Sequence, residues 1–369
     1  MLEAHTDVVG SLLRPPELLQ ARAELAEGRL TAPEFKRIED RAVDAAVALQ
    51  EDAGLEVVTD GEMRRLSFQA EMVEAVEGFG DWDIDAFLWG DWQGDDAVGA
   101  SRRGRPADLG VTGRLKRKRH LAVEEFVYLR VRTSKIAKVT LPSPSLFANF
   151  WSPERSTGAY ATLESFLADV TTILRDEVAE LARLGATYIQ IDAPHYPLLL
   201  DQATRAFYEA RGWSLDDWLR LGIELDNAVM EGFPDVTFGF HLCRGNQGSR
   251  WLTEGGYDPI ARPIFQGIQA ERLLLEYDDA RSGTFEPLAH VPDDKVVVLG
   301  LVTTKRGNLE SLDELVGRIE AASRFMPRDR LALSPQCGFA TSVVGNNLTI
   351  DEQRRKLELI AATAARVWS

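Results

Sequence analysis

Short apolar runs recur along the chain, and most are followed by longer segments in which apolar residues return with a helical period. The runs are rich in Val, Ile and Leu and are continuously apolar, a pattern typical of parallel strands buried on both faces. We predict strands at residues 6–11, 55–61, 138–143, 187–193, 236–243, 272–277, 295–302 and 330–336.

The intervening segments carry helix start and stop signals. Three of them begin with the S/T-x-x-E spacing of a capping box, at Thr31, Ser311 and Thr349. The segment 164–186 has apolar residues three and four apart and ends at Gly185. A strand followed by a helix, repeated eight times, predicts an α/β fold: a closed (β/α)8 TIM barrel formed as a single domain by residues 1–369.

One long insertion, residues 62–137, separates the second and third predicted strands. It contains Trp82, Trp89 and Trp92, and we predict a hairpin within residues 123–133. A segment of this length either closes over a ligand as a lid or packs on the outer wall of the barrel, and the sequence leaves both readings open.

Charge and composition narrow the class of partner. The chain has 45% hydrophobic and 27% charged residues, as in soluble globular proteins, and 42 basic against 58 acidic side chains give a net charge of −16. Such a balance disfavours nucleic acid or an anionic membrane as a partner and favours a small-molecule substrate. No leader or membrane-spanning segment is recognisable, so we expect a cytoplasmic protein.

Four residues of types that bind zinc fall at predicted strand ends. His241 and Cys243 end the fifth strand, Glu276 ends the sixth, and Cys337 follows the eighth. The carboxyl ends of barrel strands meet on one rim, which is where the active sites of such barrels lie. A lone H-x-C is more often packing, but the coincidence of four ligands on one rim favours a Zn²⁺ site.

A zinc shell of this composition implies a reaction class. Glu276 supplies a hard oxygen ligand that can yield to an incoming sulfur atom. Zinc lowers the pKa of a bound thiol, which makes a substrate thiol nucleophilic at neutral pH. The pattern therefore predicts attack by an activated thiolate on an electrophilic carbon.

Three further polar residues lie near the predicted rim. Glu62 and Asp192 are suited to holding an ammonium group or exchanging a proton, and Ser11 follows a glycine turn whose backbone N–H groups can bind a carboxylate. For each residue taken singly, helix capping or a loop hydrogen bond is the alternative role.

The motifs VVGSLLRPPEL, VVTDGEMRR, YIQIDAP, HLCRGN, LLLEYDD and SPQCGFAT together resemble the catalytic barrel of cobalamin-independent methionine synthase, and most closely its short single-barrel relatives. The resemblance spans nearly the whole chain. It implies a zinc shell of His241, Cys243, Glu276 and Cys337. It also implies that the amino acid part of homocysteine is held by three residues, Ser11, Glu62 and Asp192.

The departures from the family pattern concern the methyl donor. Leu198 stands where the family has a glutamate six residues after the aspartate, GRLKRKR replaces the segment that lines the pterin, and Lys305 replaces a proton-relay histidine. The second barrel of full-length enzymes, which helps to hold the polyglutamate tail of methyl-folate, has no counterpart in this sequence. The thiol side of the site is therefore expected to be kept and the donor side changed.

The resemblance predicts a zinc-dependent S-methyltransferase acting on homocysteine or a similar thiol, with folate, a corrinoid or another methyl compound as donor. One alternative is thiol addition to an epoxide, as in epoxyalkane:coenzyme M transferases, with Lys305 or Tyr277 as proton donor and Arg14 and Arg244 binding a sulfonate. The other is a non-catalytic zinc protein that binds thiols. The sequence leaves the donor and the oligomeric state open.

Overall fold

A computed structural model describes residues 2–80, 90–94, 102–103, 110–210 and 212–368. The strands of its main sheet overlap the predicted apolar runs, and four further strands among the described residues lie within the insertion. In chain order the strands are β1 (Val57–Val58), β2 (Val76–Phe79), β3 (Gly90–Asp91), β4 (Arg102–Arg103), β5 (Val111–Arg117), β6 (Ile136–Pro142), β7 (Tyr188–Asp192), β8 (Thr237–Leu242), β9 (Arg272–Glu276), β10 (Val296–Val302) and β11 (Leu331–Pro335).

Seven of these strands form one parallel sheet in the order β1-β6-β7-β8-β9-β10-β11. Neighbours in this sheet follow one another in the sequence, except that β2 to β5 of the insertion lie between β1 and β6. The register pairs Pro142 with Asp192 and Asp192 with His241, so the polar residues at the strand ends lie side by side. The curled parallel sheet with its covering helices confirms the predicted α/β barrel class.

The first predicted strand, 6–11, is only partly formed. Thr6 makes an isolated parallel bridge to Leu333 of β11, and the Thr59 hydroxyl donates to the Gly10 carbonyl on the other side, next to β1. The segment thus lies between the two ends of the sheet. At its start, the carboxylate of Glu56 accepts from the backbone N–H groups of His5 and Thr6, where a regular strand would make ladder hydrogen bonds.

Helices follow most strands and cover the outside of the sheet. They are α1 (Pro16–Ala26), α2 (Ala32–Asp52), α3 (Ala70–Ala75), α4 (Val123–Leu129), α5 (Pro153–Ser156), α6 (Leu163–Arg183), α7 (His195–Leu198), α8 (Gln202–Glu209), α9 (Leu215–Met230), α10 (Asp258–Gly267), α11 (Leu312–Ala322) and α12 (Ile350–Val367), with short 3-10 helices at Pro144–Phe150, Ala280–Ser282, Glu286–His290 and Arg328–Arg330. None of the helices in the described part of the chain combines the length and apolar character that crossing a membrane requires.

The predicted helix starts are found where the sequence placed them. Thr31 and Thr349 form complete capping boxes, and the Ser311 side chain accepts from the backbone N–H of Glu314. Helix α6 ends at Arg183, two residues before Gly185, whose φ of 91° is in the left-handed region that glycine adopts without strain.

The insertion is described only in part. The predicted hairpin at 123–133 is wrong: residues Val123–Leu129 form helix α4, whose first N–H groups, those of Ala122 and Val123, donate to Glu177. An antiparallel pair exists instead between β2 and β5. Trp82 and Trp89 lie outside the described residues, and the boundary of the insertion at 62–137 stays a prediction, as does the single domain over 1–369.

The barrel interior is charged at the end opposite the predicted site. Asp7 Oδ1 lies 2.7 Å from Lys138 Nζ, and Asp7 Oδ2 accepts from the Tyr188 hydroxyl at 2.7 Å and lies 3.5 Å from Arg272. The side chains of this ion group are completely buried. Buried charges of this kind are tolerated only when they are paired and hydrogen-bonded.

Candidate metal centre and substrate cavity

Three of the four predicted zinc ligands meet at the carboxyl ends of the strands. The ligand atoms of His241, Cys243 and Cys337 all lie within 4.8 Å of one another, and the two sulfur atoms are 3.4 Å apart. All three side chains are buried. Strands β8 and β11 therefore bring together the only two cysteines of the chain, which are 94 residues apart in sequence.

The imidazole of His241 is oriented so that Nε2 can bind a metal ion. Its Nδ1 lies 3.2 Å from the Leu274 carbonyl oxygen on the neighbouring strand. Its Nε2 is buried and has no hydrogen-bond partner among the residues that the structure describes. In metal-binding histidines, one ring nitrogen usually contacts a backbone carbonyl, and the lone pair of the other nitrogen is left to bind the metal.

The two thiols also fit a soft divalent cation. In the protein alone, the hydrogen bond with Cys337 and burial raise the pKa of the Cys243 thiol well above its usual value. A cation at this position would reverse that effect, because a coordinating thiol is deprotonated. One nitrogen and two sulfur donors in a buried group match the ligand set of zinc.

Glu276, the fourth predicted ligand, lies beside this group without joining it. Its Oε2 accepts from the backbone N–H of Arg244 at 2.7 Å, while Oε1 lies 2.8 Å from Arg281 and 3.2 Å from Lys305. Although burial would raise the pKa of the carboxyl, Lys305, Arg281 and Arg244 hold it below its usual value. The carboxylate is therefore ionised, and its role as a metal ligand stays a prediction.

A cavity of about 530 Å³ opens over the histidine and cysteines. Ser11, Glu62 and Asp192, the residues expected to bind the amino acid, line it as well. The remainder of the wall is largely apolar or amide-bearing and includes Phe68, Trp92, Leu146, Asn149, Phe150, Leu198, Asn246 and Leu252. The structure thus places all six of these site residues around one space, with room for a second reactant.

Glu62 is held in an unusual conformation at the cavity wall. Its φ is 54°, a region that residues other than glycine rarely adopt, and such strain is concentrated at functional sites. Its Oε1 accepts from the Thr140 hydroxyl at 2.8 Å, whereas the buried Oε2 has no partner within the described ranges. Gly10 leaves the necessary space, because a Cβ there would lie 2.5 Å from Oε1.

Asp192 and Ser11 complete the polar wall. Asp192 Oδ1 accepts from Gln190 Nε2 at 2.7 Å, and burial raises the pKa of Asp192 to about 6. Gly338, which follows Cys337, is required next to Ser11, since a side chain at that position would overlap the Ser11 hydroxyl. Backbone contact between the two loops is direct, with Phe339 N–H donating to Ser11 O at 2.8 Å.

The expected proton donors and sulfonate-binding arginines do not line this cavity. Tyr277 is buried against Tyr257 and Phe285, and Lys305 lines a separate cavity of about 430 Å³. The guanidinium groups of Arg14 and Arg244 donate to backbone carbonyl oxygens. The roles proposed for these residues stay predictions that this arrangement does not favour.

Sequence reasoning missed two features of the site. The 3-10 helix Pro144–Phe150, directly after β6, supplies Asn149 and Phe150 to the cavity wall, and its position after a strand end was the available signal. The second is Arg281, which contacts Glu276 and follows β9 in the sequence EYDDARS. A cation five residues after a carboxylate gave little reason to expect that the two side chains would be in contact.

Comparisons with known proteins identify the family of this chain. A family model for the catalytic domain of cobalamin-independent synthase matches residues 4–364. The protein YxjG of Bacillus subtilis is 35% identical over 368 residues, covering 99% of this chain and 94% of its own. The methionine synthase of Pyrococcus abyssi is 26% identical, covering 90% of this chain and 85% of its own.

A solved structure supports the same assignment. A proposed vitamin-B12-independent methionine synthase from Listeria monocytogenes matches with a TM-score of 0.74 at 26% identity, covering 99% of this chain and 98% of that one. The fold and the relatives agree with the resemblance seen in the motifs. The chain therefore belongs to the cobalamin-independent synthase catalytic-domain family, which makes it one of the methionine synthase-like methyltransferases.

Proposed function

We propose that this protein transfers a methyl group to the sulfur of homocysteine or a closely similar amino acid thiol. The observation that carries the proposal is the buried group of His241, Cys243 and Cys337, which opens directly on the cavity that Glu62 and Asp192 line. A thiol group and an ammonium group on one small molecule would meet complementary partners there at the same time.

The chain's own residues would bind and orient the amino acid. The unpartnered Oε2 of Glu62 and the carboxylate of Asp192 would accept from the ammonium group, since both line the cavity. The Ser11 hydroxyl, which lines the same wall, would donate to the carboxylate of the substrate. These contacts would fix the side chain of the substrate so that its sulfur points at the two cysteines.

Zinc would be held by His241, Cys243 and Cys337, with Glu276 as fourth ligand, and would supply an activated substrate thiolate. In the transfer, the sulfur electron pair forms the new bond to the methyl carbon, and the bond from that carbon to the donor breaks with its electron pair leaving on the donor. The thiol proton is released to solvent. The apolar part of the cavity wall would exclude water, which could otherwise react with the methyl donor in place of the substrate sulfur.

The epoxide alternative finds less support in the site. A thiol carrying a sulfonate requires a cation in the cavity, and no lysine or arginine lines it within the described part of the chain. The cavity wall instead carries carboxylates, which would repel a sulfonate and attract an ammonium group. The amino acid thiol is therefore the better match.

The test is turnover of the zinc-loaded protein with homocysteine and a panel of methyl donors, including methyl-folate and methylcobalamin, with methionine measured as product. Coenzyme M with a short epoxide is the comparison reaction. We expect methionine from at least one donor and no thioether from coenzyme M. Homocysteine binding without product from any pair would favour the non-catalytic thiol-binding protein.

Binding of the product methionine is expected to weaken below pH 6. Because burial raises the pKa of Asp192 to about 6, the carboxylate is ionised above this pH and is protonated as pH falls through it. The ammonium group keeps its charge throughout, so the attraction is lost on the acid side, by up to about tenfold per pH unit. Calorimetric titration between pH 8 and pH 5 measures the effect, and methionine avoids the separate titration of a thiol.

Asp192→Asn is the matched control for this pH dependence. The amide keeps the size of the side chain but carries no charge, so methionine should bind weakly and with little change between pH 8 and pH 5. If the variant retains the same decline below pH 6 as the natural protein, another group causes it and Asp192 does not contact the ammonium group.

A further inference from the structure

The carboxylate of Glu276 lies between two sets of partners. On one side is the group of His241, Cys243 and Cys337. His241 in the adjacent strand β8, and Cys243 directly after that strand, interact electrostatically with Glu276. On the other side, its Oε1 is 2.8 Å from Arg281 Nη2 and 3.2 Å from Lys305 Nζ. The Glu276 side chain is completely buried, so these cations are its counter-charges in the protein without a metal.

The two cations belong to a fixed network. Lys305 lies 3.4 Å and Arg281 lies 3.3 Å from the buried carboxylate of Asp278. The Arg281 guanidinium also stacks over the Trp251 ring at 4.7 Å. Both side chains are 5% exposed. Asp278 and the ring therefore hold the cations in place whether or not Glu276 remains in contact with them.

A buried carboxylate that leaves a metal needs another positive partner, because an unpaired charge is not tolerated in the interior. Lys305 and Arg281 supply that partner next to the metal group. Neither side chain lines the substrate cavity. Their position suits them to act through Glu276, and it does not suit them to act on the reactants.

We propose that Lys305 and Arg281 are positioning residues that compete with the metal for Glu276 and receive its carboxylate when the substrate sulfur enters. The proposal rests on the proposed function and specifies how the site makes room for the thiol. Glu276 is then stabilised by a metal in one position and by the two cations in the other, so sulfur can replace it without leaving a bare charge.

The test uses Lys305→Met in the zinc-loaded protein. Without Lys305, the carboxylate is expected to stay on the zinc. The zinc should then be retained about tenfold more tightly against a chelator, and the homocysteine concentration needed for half-saturation should rise by about tenfold or more. Lys305→Arg should restore both values towards those of the natural protein, because it returns the positive charge.

Lys295→Met is the matched control. Lys295 is also buried, precedes the same strand β10 at the opposite end, and donates to the carbonyl oxygens of Ile268 and Ala270. Its loss should lower stability without tightening zinc or changing the homocysteine dependence. If Lys305→Met does not fold, Arg281→Gln tests the same contact and should shift both values in the same directions.

A second comparison separates a positioning role from a structural one. In a Glu276→Gln background, Lys305→Met should cause no further change in zinc retention or homocysteine dependence, since the competing carboxylate is absent. Looser zinc in Lys305→Met, an unchanged homocysteine dependence, or equal effects in both backgrounds would overturn the proposal while leaving the methyltransferase function intact. Failure of the natural protein to bind zinc or homocysteine would instead refute the proposed function and the inference with it.

Discussion

Replacing Cys337 with serine is expected to abolish methyl transfer and to remove bound zinc while the barrel remains folded. Cys337 contributes one of the two sulfur atoms of the metal group, 3.4 Å from that of Cys243. Loss of residues that only orient a ligand costs about 10–100-fold in metal affinity or activity, so loss of a ligand should exceed roughly 100-fold. Elemental analysis and methionine formation measure the two effects.

The fold should survive because the loop that carries Cys337 is held by other contacts. Gln336 N–H donates to Val302 O at 2.8 Å, and Asn246 donates to Gly338 O at 2.7 Å. Ser334→Ala is a suitable control, since it alters a small buried residue of β11 outside the cavity. Full zinc occupancy in Cys337→Ser would remove this residue from the metal shell.

Replacing Asp7 with alanine is expected to lower the free energy of unfolding by about 3–5 kcal/mol, the usual result of removing one partner of a buried ion pair. The change leaves Lys138 and Arg272 without their carboxylate inside the barrel and deprives the Tyr188 hydroxyl of its acceptor. Because the strands are joined at this point, we expect a lower melting temperature in calorimetry and a smaller yield of folded protein.

The control for Asp7→Ala is a pair on the surface. Arg354 contacts Asp351 and Glu358 on the exposed face of α12, and exposed pairs contribute little to stability. Arg354→Ala should therefore leave the melting temperature nearly unchanged. A melting temperature for Asp7→Ala that matches this control would mean that the barrel interior relaxes around the lost charge and that the ion group does not join the strands.

The sequence was sufficient to predict the barrel because its strands are continuous apolar runs that end in polar residues. That pattern placed Asp192, His241 and Cys243 on one rim, and the structure brings these residues to one cavity. Cys337 could be added because its run, 330–336, ends directly before it. The motif resemblance, which the family comparison confirms, depended on the same strand ends.

Other features could not be predicted because they depend on side-chain contacts between distant segments. The contacts of Arg281 and Lys305 with Glu276 come from the segments after β9 and β10, and nothing in the sequence pattern linked either residue to Glu276. The helix at Val123–Leu129 depends on Glu177, more than fifty residues away, to accept from its first N–H groups. The apolar and aromatic residues of that segment favoured a strand instead.

The most direct test of the central claim is zinc-edge X-ray absorption on the purified protein, with and without homocysteine. We predict one nitrogen and two sulfur neighbours from His241, Cys243 and Cys337, an oxygen neighbour from Glu276, and a third sulfur in place of the oxygen when homocysteine is added. A sulfur count that does not change on addition of homocysteine would contradict activation of the thiol at this site.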